Sequence, residues 1–325
     1  MMQMTMIEAL NNALALELQR DERVVVFGED IGINGGVFRV TEHLQKQFGE
    51  KRVFDTPLAE SGIIGSAIGM SIYGLRPIAE IQFAGFLFLC MSQLVTQAAR
   101  MRFRSAGAFT CPLVVRAPYG GGVRTPELHS DSLEGIFLQT PGIKVVIPSN
   151  PYDAKGLLAA AVADPDPVLF LENIKLYRSF RQETPQDYYT EPLGKAKVLQ
   201  EGTDVSVFAY GAMVPVALEA AKQIQQENGA SVEVIDLRTV WPLDEEAIVA
   251  SVTKTGRAVV IHEAPRAGGI GAEVTAIINE RCLYSLLAPV GRVTGYDTPY
   301  PVPGLEDYYL PNVPKTLDAL RRVME

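Results

Sequence analysis

Cysteine is scarce in this 325-residue chain: Cys90, Cys111 and Cys282 stand far apart with no CxxC pair, which excludes a disulfide framework and a zinc knuckle. Reduced, buried thiols are the expectation. Positive charge is short as well, with 29 Lys and Arg against 38 Asp and Glu and a net charge of −9. Such a surface repels phosphate backbones and anionic lipid, so neither nucleic acid nor a membrane is expected as the main partner. Long apolar runs are missing. The most apolar stretch, Ile81 to Val95, is interrupted by Gln82, Gly85, Ser92 and Gln93; it is too short to cross a bilayer as a helix and reads as a buried helix. No basic-then-apolar leader opens the chain and no Asn-x-Ser/Thr site occurs, as expected of a bacterial cytoplasm. A mitochondrial matrix protein after loss of its leader gives the same pattern. Histidine is rare too, and His43, His129 and His262 are too scattered to make a metal site by spacing.

What remains is an ordinary folding composition, 47% hydrophobic and 21% charged, long enough for roughly two domains of about 150 residues. Short β-branched runs at Val24–Phe27, Leu113–Val115, Lys144–Ile147 and Val168–Leu171 alternate with helical patterns at Thr5–Arg20 and Asp153–Ala163. That rhythm predicts parallel strands buried on both faces, with functional groups in the loops at their carboxyl ends. Between Glu172 and Gly194 the pattern lapses into a linker. A second rhythm follows, with strands at Val205–Ala209, Val232–Ile235 and Ala258–Ile261, helices at Val214–Glu227 and Asp244–Lys254, and a closing helix at Lys315–Val323. The expected fold class is therefore α/β with mainly parallel sheets, divided into residues 1–190 and 191–325.

Three glycine-rich stretches, Gly32–Gly36, Gly120–Gly122 and Gly268–Gly271, match neither GxGxxG nor GxxxxGK[ST], so no dinucleotide fingerprint or P-loop is present and tight turns are their plain reading. Gly120–Gly122 differs in following a predicted strand and preceding His129. That histidine lies in a polar loop where Ser130 or Asp131 is placed to orient it, a setting for a general acid or base or for a surface residue. His43 reads as a solvated residue of an amphipathic helix; His262, ending a strand, fits either packing or function. Glu60 lies in Thr56-Pro57-Leu58-Ala59-Glu60-Ser61-Gly62-Ile63, a lone carboxylate among small and apolar residues at a helix start. Scarce water there raises its pKa and suits proton sharing with a ligand; capping the helix N-terminus is the competing reading. Gln82 and Phe86 bracket Ile81-Gln82-Phe83-Ala84-Gly85-Phe86, where a buried amide needs a partner and an aromatic face suits a planar ring. Phe83 is assigned to the core. Glu29 follows a strand and faces the same crevice, unless the segment is a simple turn capped by Asp30.

Phe27–Gly32, Thr56–Gly62, Ile81–Phe86, Glu127–Ser130 and Pro141–Pro148, in this order and spacing, closely resemble the β subunit of the thiamine-diphosphate-dependent 2-oxo acid dehydrogenases, and the likeness covers the whole chain. Lys175–Arg181 and Phe86 are most similar to the pyruvate-type bacterial β subunit. The resemblance implies a transketolase-like pyrimidine-binding domain followed by a transketolase C-terminal-like domain, in an α2β2 assembly with each cofactor between an α and a β subunit. The α subunit would hold the diphosphate and Mg²⁺ through a GDG…N motif, and no GDG occurs here.

On the same resemblance Glu60 hydrogen-bonds the aminopyrimidine ring, Phe86 packs on it, and Leu58, Gln82 and Glu29 line its pocket. His129 serves proton transfer around the reaction intermediate or the lipoyl group. A monovalent cation such as K⁺ is implied near Leu113, Ala161, Val162, Asp164 and Asp166. The implied partners are the α subunit, the dihydrolipoyl acyltransferase core with its lipoyl domain, and a 2-oxo acid, pyruvate first. Branched-chain 2-oxo acids or acetoin are the alternative substrates, and a non-catalytic docking subunit is the alternative role. Ser92, where relatives often carry an acid, leaves this reading intact. Arg124, where some have a second histidine, weighs against a mechanism with paired imidazoles.

Overall fold

The computed structural model describes residues 1–325 as two α/β units and a small strand pair. The first sheet runs in the order Thr239–Trp241, Lys144–Val146, Val168–Asn173, Val114–Tyr119, Arg76–Glu80, Val24–Gly28, Val53–Asp55, parallel except at the Thr239–Trp241 edge. Its central strands are wholly buried, as strands covered by helices on both faces must be. The two-residue period shows in a single strand. Val24 and Val26 enter the core shared with the Met6–Arg20 helix, while Val25 and Phe27 enter the one shared with the Glu60–Ile72 helix. Local signals set the helix starts. Thr5 and Glu8 form a reciprocal capping box before Met6–Arg20, and Asn150 caps Pro151–Ala163 with proline in its first turn.

The second sheet orders Gly291–Gly295, Ala258–Pro265, Val205–Ala209, Val232–Asp236 and Lys197–Gln200, only the last being antiparallel. The fold is thus α/β with mainly parallel sheets. The two units are stitched together, because Thr239–Trp241 comes late in sequence yet edges the first sheet. Beside it the Arg238 guanidinium bridges Asp153 at 3.0 Å and Glu191 at 2.8 Å.

Two expectations need correction. The supposed linker contains Gln182–Thr184, paired antiparallel with Met2–Met4, so hydrogen bonds strap it to the N-terminus. Ile81–Val95 is not one buried helix: Ala84–Cys90 winds as 3₁₀ and Ser92–Ala98 as π, and Phe88 and Leu89 are exposed. Changing the turn size breaks a single apolar face into several. No helix is long and apolar enough to cross a membrane.

Candidate active site

Four adjacent parallel strands, Val53–Asp55, Val24–Gly28, Arg76–Glu80 and Val114–Tyr119, end on the same side of the first sheet. Their following loops carry Leu58 and Glu60, Glu29, Gln82 and Phe86, and His129 in turn. Residues scattered from position 29 to 129 therefore meet at the carboxyl ends of the strands, where open α/β sheets place ligands.

Glu29 is 4% exposed and neither carboxylate oxygen has a hydrogen-bond partner. Burial raises its pKa, and the neighbouring charges of Glu60 and Asp30 add to the rise, so Glu29 and Glu60 share one crevice. Asp30 accepts a hydrogen bond from Gln82 Nε2 at 3.1 Å, which gives the amide its partner. Phe83 and Phe86 present their rings to His129 at centroid distances of 4.3 and 5.4 Å, both steeply inclined. His129 Nδ1 is buried without a partner. Neither Ser130 nor Asp131 orients it, contrary to expectation: the Ser130 hydroxyl pairs with that of Thr125 at 2.6 Å and donates to Pro126 O at 3.3 Å. Aromatic packing sets the imidazole instead, and Phe83 belongs to the site as well as to the core.

Glu60 opens the Glu60–Ile72 helix, which has no side-chain cap. The water-poor setting expected for it is not supplied by this chain. Glu60 itself is half-buried, Leu58 is 82% exposed, and Ser61, Gly62, Gly65, Ser66 and Gly69 face outward while Ile63, Ile64, Ala67 and Ile68 fill the core. Small residues made the segment look enclosed, but they form an open helix face.

Residues 2–179 match the transketolase pyrimidine-binding domain and residues 194–315 the transketolase C-terminal domain. The chain is 59% identical over 325 residues to the pyruvate dehydrogenase E1 component subunit beta of Bacillus subtilis, covering 100% of both chains. It is 56% identical, again over 100% of both, to the subunits of that name from Staphylococcus aureus and Staphylococcus epidermidis. The chain belongs to the pyruvate dehydrogenase E1 β-subunit family. A split-gene transketolase described as an inactive β4 tetramer shares the fold, with a TM-score of 0.81 at 24% identity over 99% of this chain and 98% of that one.

E1 β subunits belong to a thiamine-diphosphate-dependent family and work as part of a complex with an α subunit. The orphaned polar atoms on Glu29 and His129, beside the Phe86 ring, are of the kind that suit a flat ring with hydrogen-bonding nitrogens. The other histidines lie apart. His43 is exposed at a left-handed turn. His262 is fully buried, bonded through Nδ1 to Ala264 O at 3.1 Å, and burial pushes its pKa down to about 4, so it is a neutral core group.

The loop implied to hold a cation is already ion-paired within the chain. Arg76 donates to Val162 O at 2.7 Å, Lys144 pairs with Asp164 at 2.8 Å and Arg102 with Asp166 at 2.8 Å. Leu113 O and Ala161 O accept from Val168 N and Asp164 N.

Sequence reasoning missed the buried charges behind this E1 β crevice. Arg116 is fully buried between Glu172, at 2.6 Å, and Glu80, at 2.6 Å, and Tyr177 donates to Glu172 at 2.7 Å. Burial opposes its charge, yet Glu172 and Glu80 hold its pKa above the ordinary value. An arginine inside Val114-Val115-Arg116-Ala117 was the available signal, since a charge in a buried strand requires partners.

Proposed function

We propose that this chain builds the aminopyrimidine half of the active site in an α2β2 pyruvate dehydrogenase component, carrying out oxidative decarboxylation of pyruvate with reductive acylation of lipoyl groups. The observation that carries this reading is the convergence of Glu29, Glu60, Phe86 and His129 from four loops in one crevice, with buried polar atoms left unbonded on two of them. When bound, thiamine diphosphate supplies the electron sink for losing carbon dioxide from the 2-oxo acid.

Glu60 holds a proton against the ring nitrogen of the aminopyrimidine. Packing of the α subunit over the open face of the Glu60–Ile72 helix and over Leu58 supplies the dry setting that this proton sharing needs. Glu29 adds a buried carboxylate beside it, which favours a shared proton over two adjacent charges. Phe86 offers its face to the ring, and Gln82, held by Asp30, lines the pocket. His129 exchanges a proton with the reacting 2-oxo acid or the lipoyl arm through its ring nitrogens.

The α subunit holds the diphosphate and Mg²⁺. A K⁺ ion at the Ala161–Pro167 loop would draw on the second lone pairs of main-chain carbonyls such as Leu113 O and Ala161 O, because Asp164, Asp166 and Val162 O are committed to Lys144, Arg102 and Arg76. The C-terminal domain assembles the complex and docks the dihydrolipoyl acyltransferase core, whose lipoyl domain visits the site. The setting is a bacterial cytoplasm.

The test is turnover by this chain co-expressed with its α subunit and supplied with thiamine diphosphate and Mg²⁺. A kcat/KM for pyruvate at least about tenfold above that for 3-methyl-2-oxobutanoate is expected, since one methylene more or less in a hydrophobic pocket is worth about 1–3 kcal/mol. Preference for the branched substrate would overturn the assignment to pyruvate.

A further inference from the structure

The Gly120–Ser130 loop carrying His129 belongs to the first domain, yet carboxylates of the second domain take its main-chain donors. Glu263 Oε2 accepts from Gly121 N at 2.9 Å while Oε1 accepts from Asn173 Nδ2 at 2.9 Å. Glu306 Oε1 accepts from Gly122 N at 2.8 Å and from the Tyr300 hydroxyl at 2.7 Å, and Oε2 accepts from Arg124 N at 3.2 Å. The Arg124 side chain reaches the same segment, donating to Pro303 O at 3.0 Å and to Asp307 at 2.8 Å. Glu263 and Glu306 are 4% and 1% exposed, so these hydrogen bonds face little competition from water.

The backbone is shaped for this grip. Gly122 and Arg124 have φ of +89° and +58°, which turns nearby N–H groups toward a common anion as in an anion-binding nest. A Cβ at Gly121 would overlap the Tyr300 hydroxyl, so the loop backbone lies directly on the second domain.

The far end of the loop rests on the crevice. Leu128 O lies so close to Gly85 that a Cβ there would overlap it, and Gly85 precedes Phe86. His129 receives no hydrogen bond at Nδ1, so only the path of the loop and the Phe83 and Phe86 rings fix its ring.

We propose that Glu306, seconded by Glu263, is a positioning residue for His129: the C-terminal domain sets the imidazole over Phe86 by clamping the loop's main chain. This rests on the reading in which His129 transfers a proton. Glu306→Gln retains size but turns an amide N–H toward Gly122 N or Arg124 N, so one side of the clamp is lost.

The experiment is a double-mutant cycle of E306Q and H129Q in the assembled α2β2 complex, with two readouts. In turnover, E306Q should lower kcat about tenfold with His129 present and less than about twofold in the H129Q background. The chain has three histidines, so a ¹³Cε1-histidine-labelled β chain assembled with unlabelled α gives three signals, one assigned by its loss in H129Q. E306Q should move that signal and leave the other two. An equal loss of kcat in both backgrounds, or an unmoved His129 signal, would overturn the inference. H129Q with full activity but a moved signal in E306Q would sink the proton-transfer role and leave the clamp supported. Should E306Q fail to assemble, Tyr300→Phe removes only the hydroxyl donor to Glu306 and carries both measurements, with an expected loss of about threefold.

Discussion

Glu29 and Glu263 are both 4% exposed glutamates at the ends of buried parallel strands, and burial pushes both carboxyls upward, Glu263 to about 7. Their surroundings differ completely. Glu263 has a donor on each oxygen, Gly121 N and Asn173 Nδ2; Glu29 has none. The first is a finished structural joint between domains. The second is an unfinished one, because a buried carboxylate without donors costs stability unless something else completes it. Within one fold, leftover polarity separates the ligand-facing end of the first sheet from the interdomain seam.

The largest expected effect tests whether buried charge in the first sheet belongs to the finished kind. Arg116→Leu leaves Glu80 and Glu172 buried and unpaired, and the assembled protein should lose about 3–5 kcal/mol in denaturant unfolding; a loss below about 1 kcal/mol would show that the trio is relaxed by solvent. Next, one substitution should act oppositely at the two glutamates. Glu263→Gln sets an amide N–H against Gly121 N or Asn173 Nδ2 and should cost about 1–3 kcal/mol of stability. Glu29→Gln removes an unsolvated charge, so stability should hold or rise while thiamine diphosphate affinity, followed by calorimetry, falls about tenfold. If Glu29→Gln destabilises as much as Glu263→Gln, the contrast between them fails.

The smallest effect is on pH dependence. Glu263 has a folded value raised from 4.5 to about 7, so the folded state binds its proton more tightly than the unfolded chain. The stability this gives is full below 4.5 and lost as pH rises through about 7. His262 has a value lowered from 6.5 to about 4, so its contribution is present above 6.5 and lost as pH falls through about 4. The difference in melting temperature between wild type and Glu263→Gln should therefore narrow as pH rises from 4.5 to 7. A constant difference would mean that Glu263 titrates normally.

Much of this molecule is written locally. Valine runs bounded by turn residues specify the central strands, and the Thr5 and Asn150 caps specify two helix starts. Glu29, Gln82 and His129 were legible as polar residues just beyond apolar strands. The setting of Glu60 was not, because a stretch of small residues reads the same whether its face is filled by its own core or by another chain. The Glu306 clamp was also hidden: Gly122 and Glu306 meet through the docking of two domains across 184 residues. For Arg116 and Glu263 a signal existed, a charge inside an apolar strand, but not the identity of its partners.

The most direct test is Glu60→Gln in the assembled α2β2 complex, with cofactor binding and turnover of pyruvate measured on the same sample. Complex formation and cofactor binding should persist while kcat falls by at least about a hundredfold, the usual scale for removing a proton-sharing group. Unchanged kcat with cofactor bound would contradict the assignment of that carboxylate to the aminopyrimidine and reduce the crevice to a docking surface.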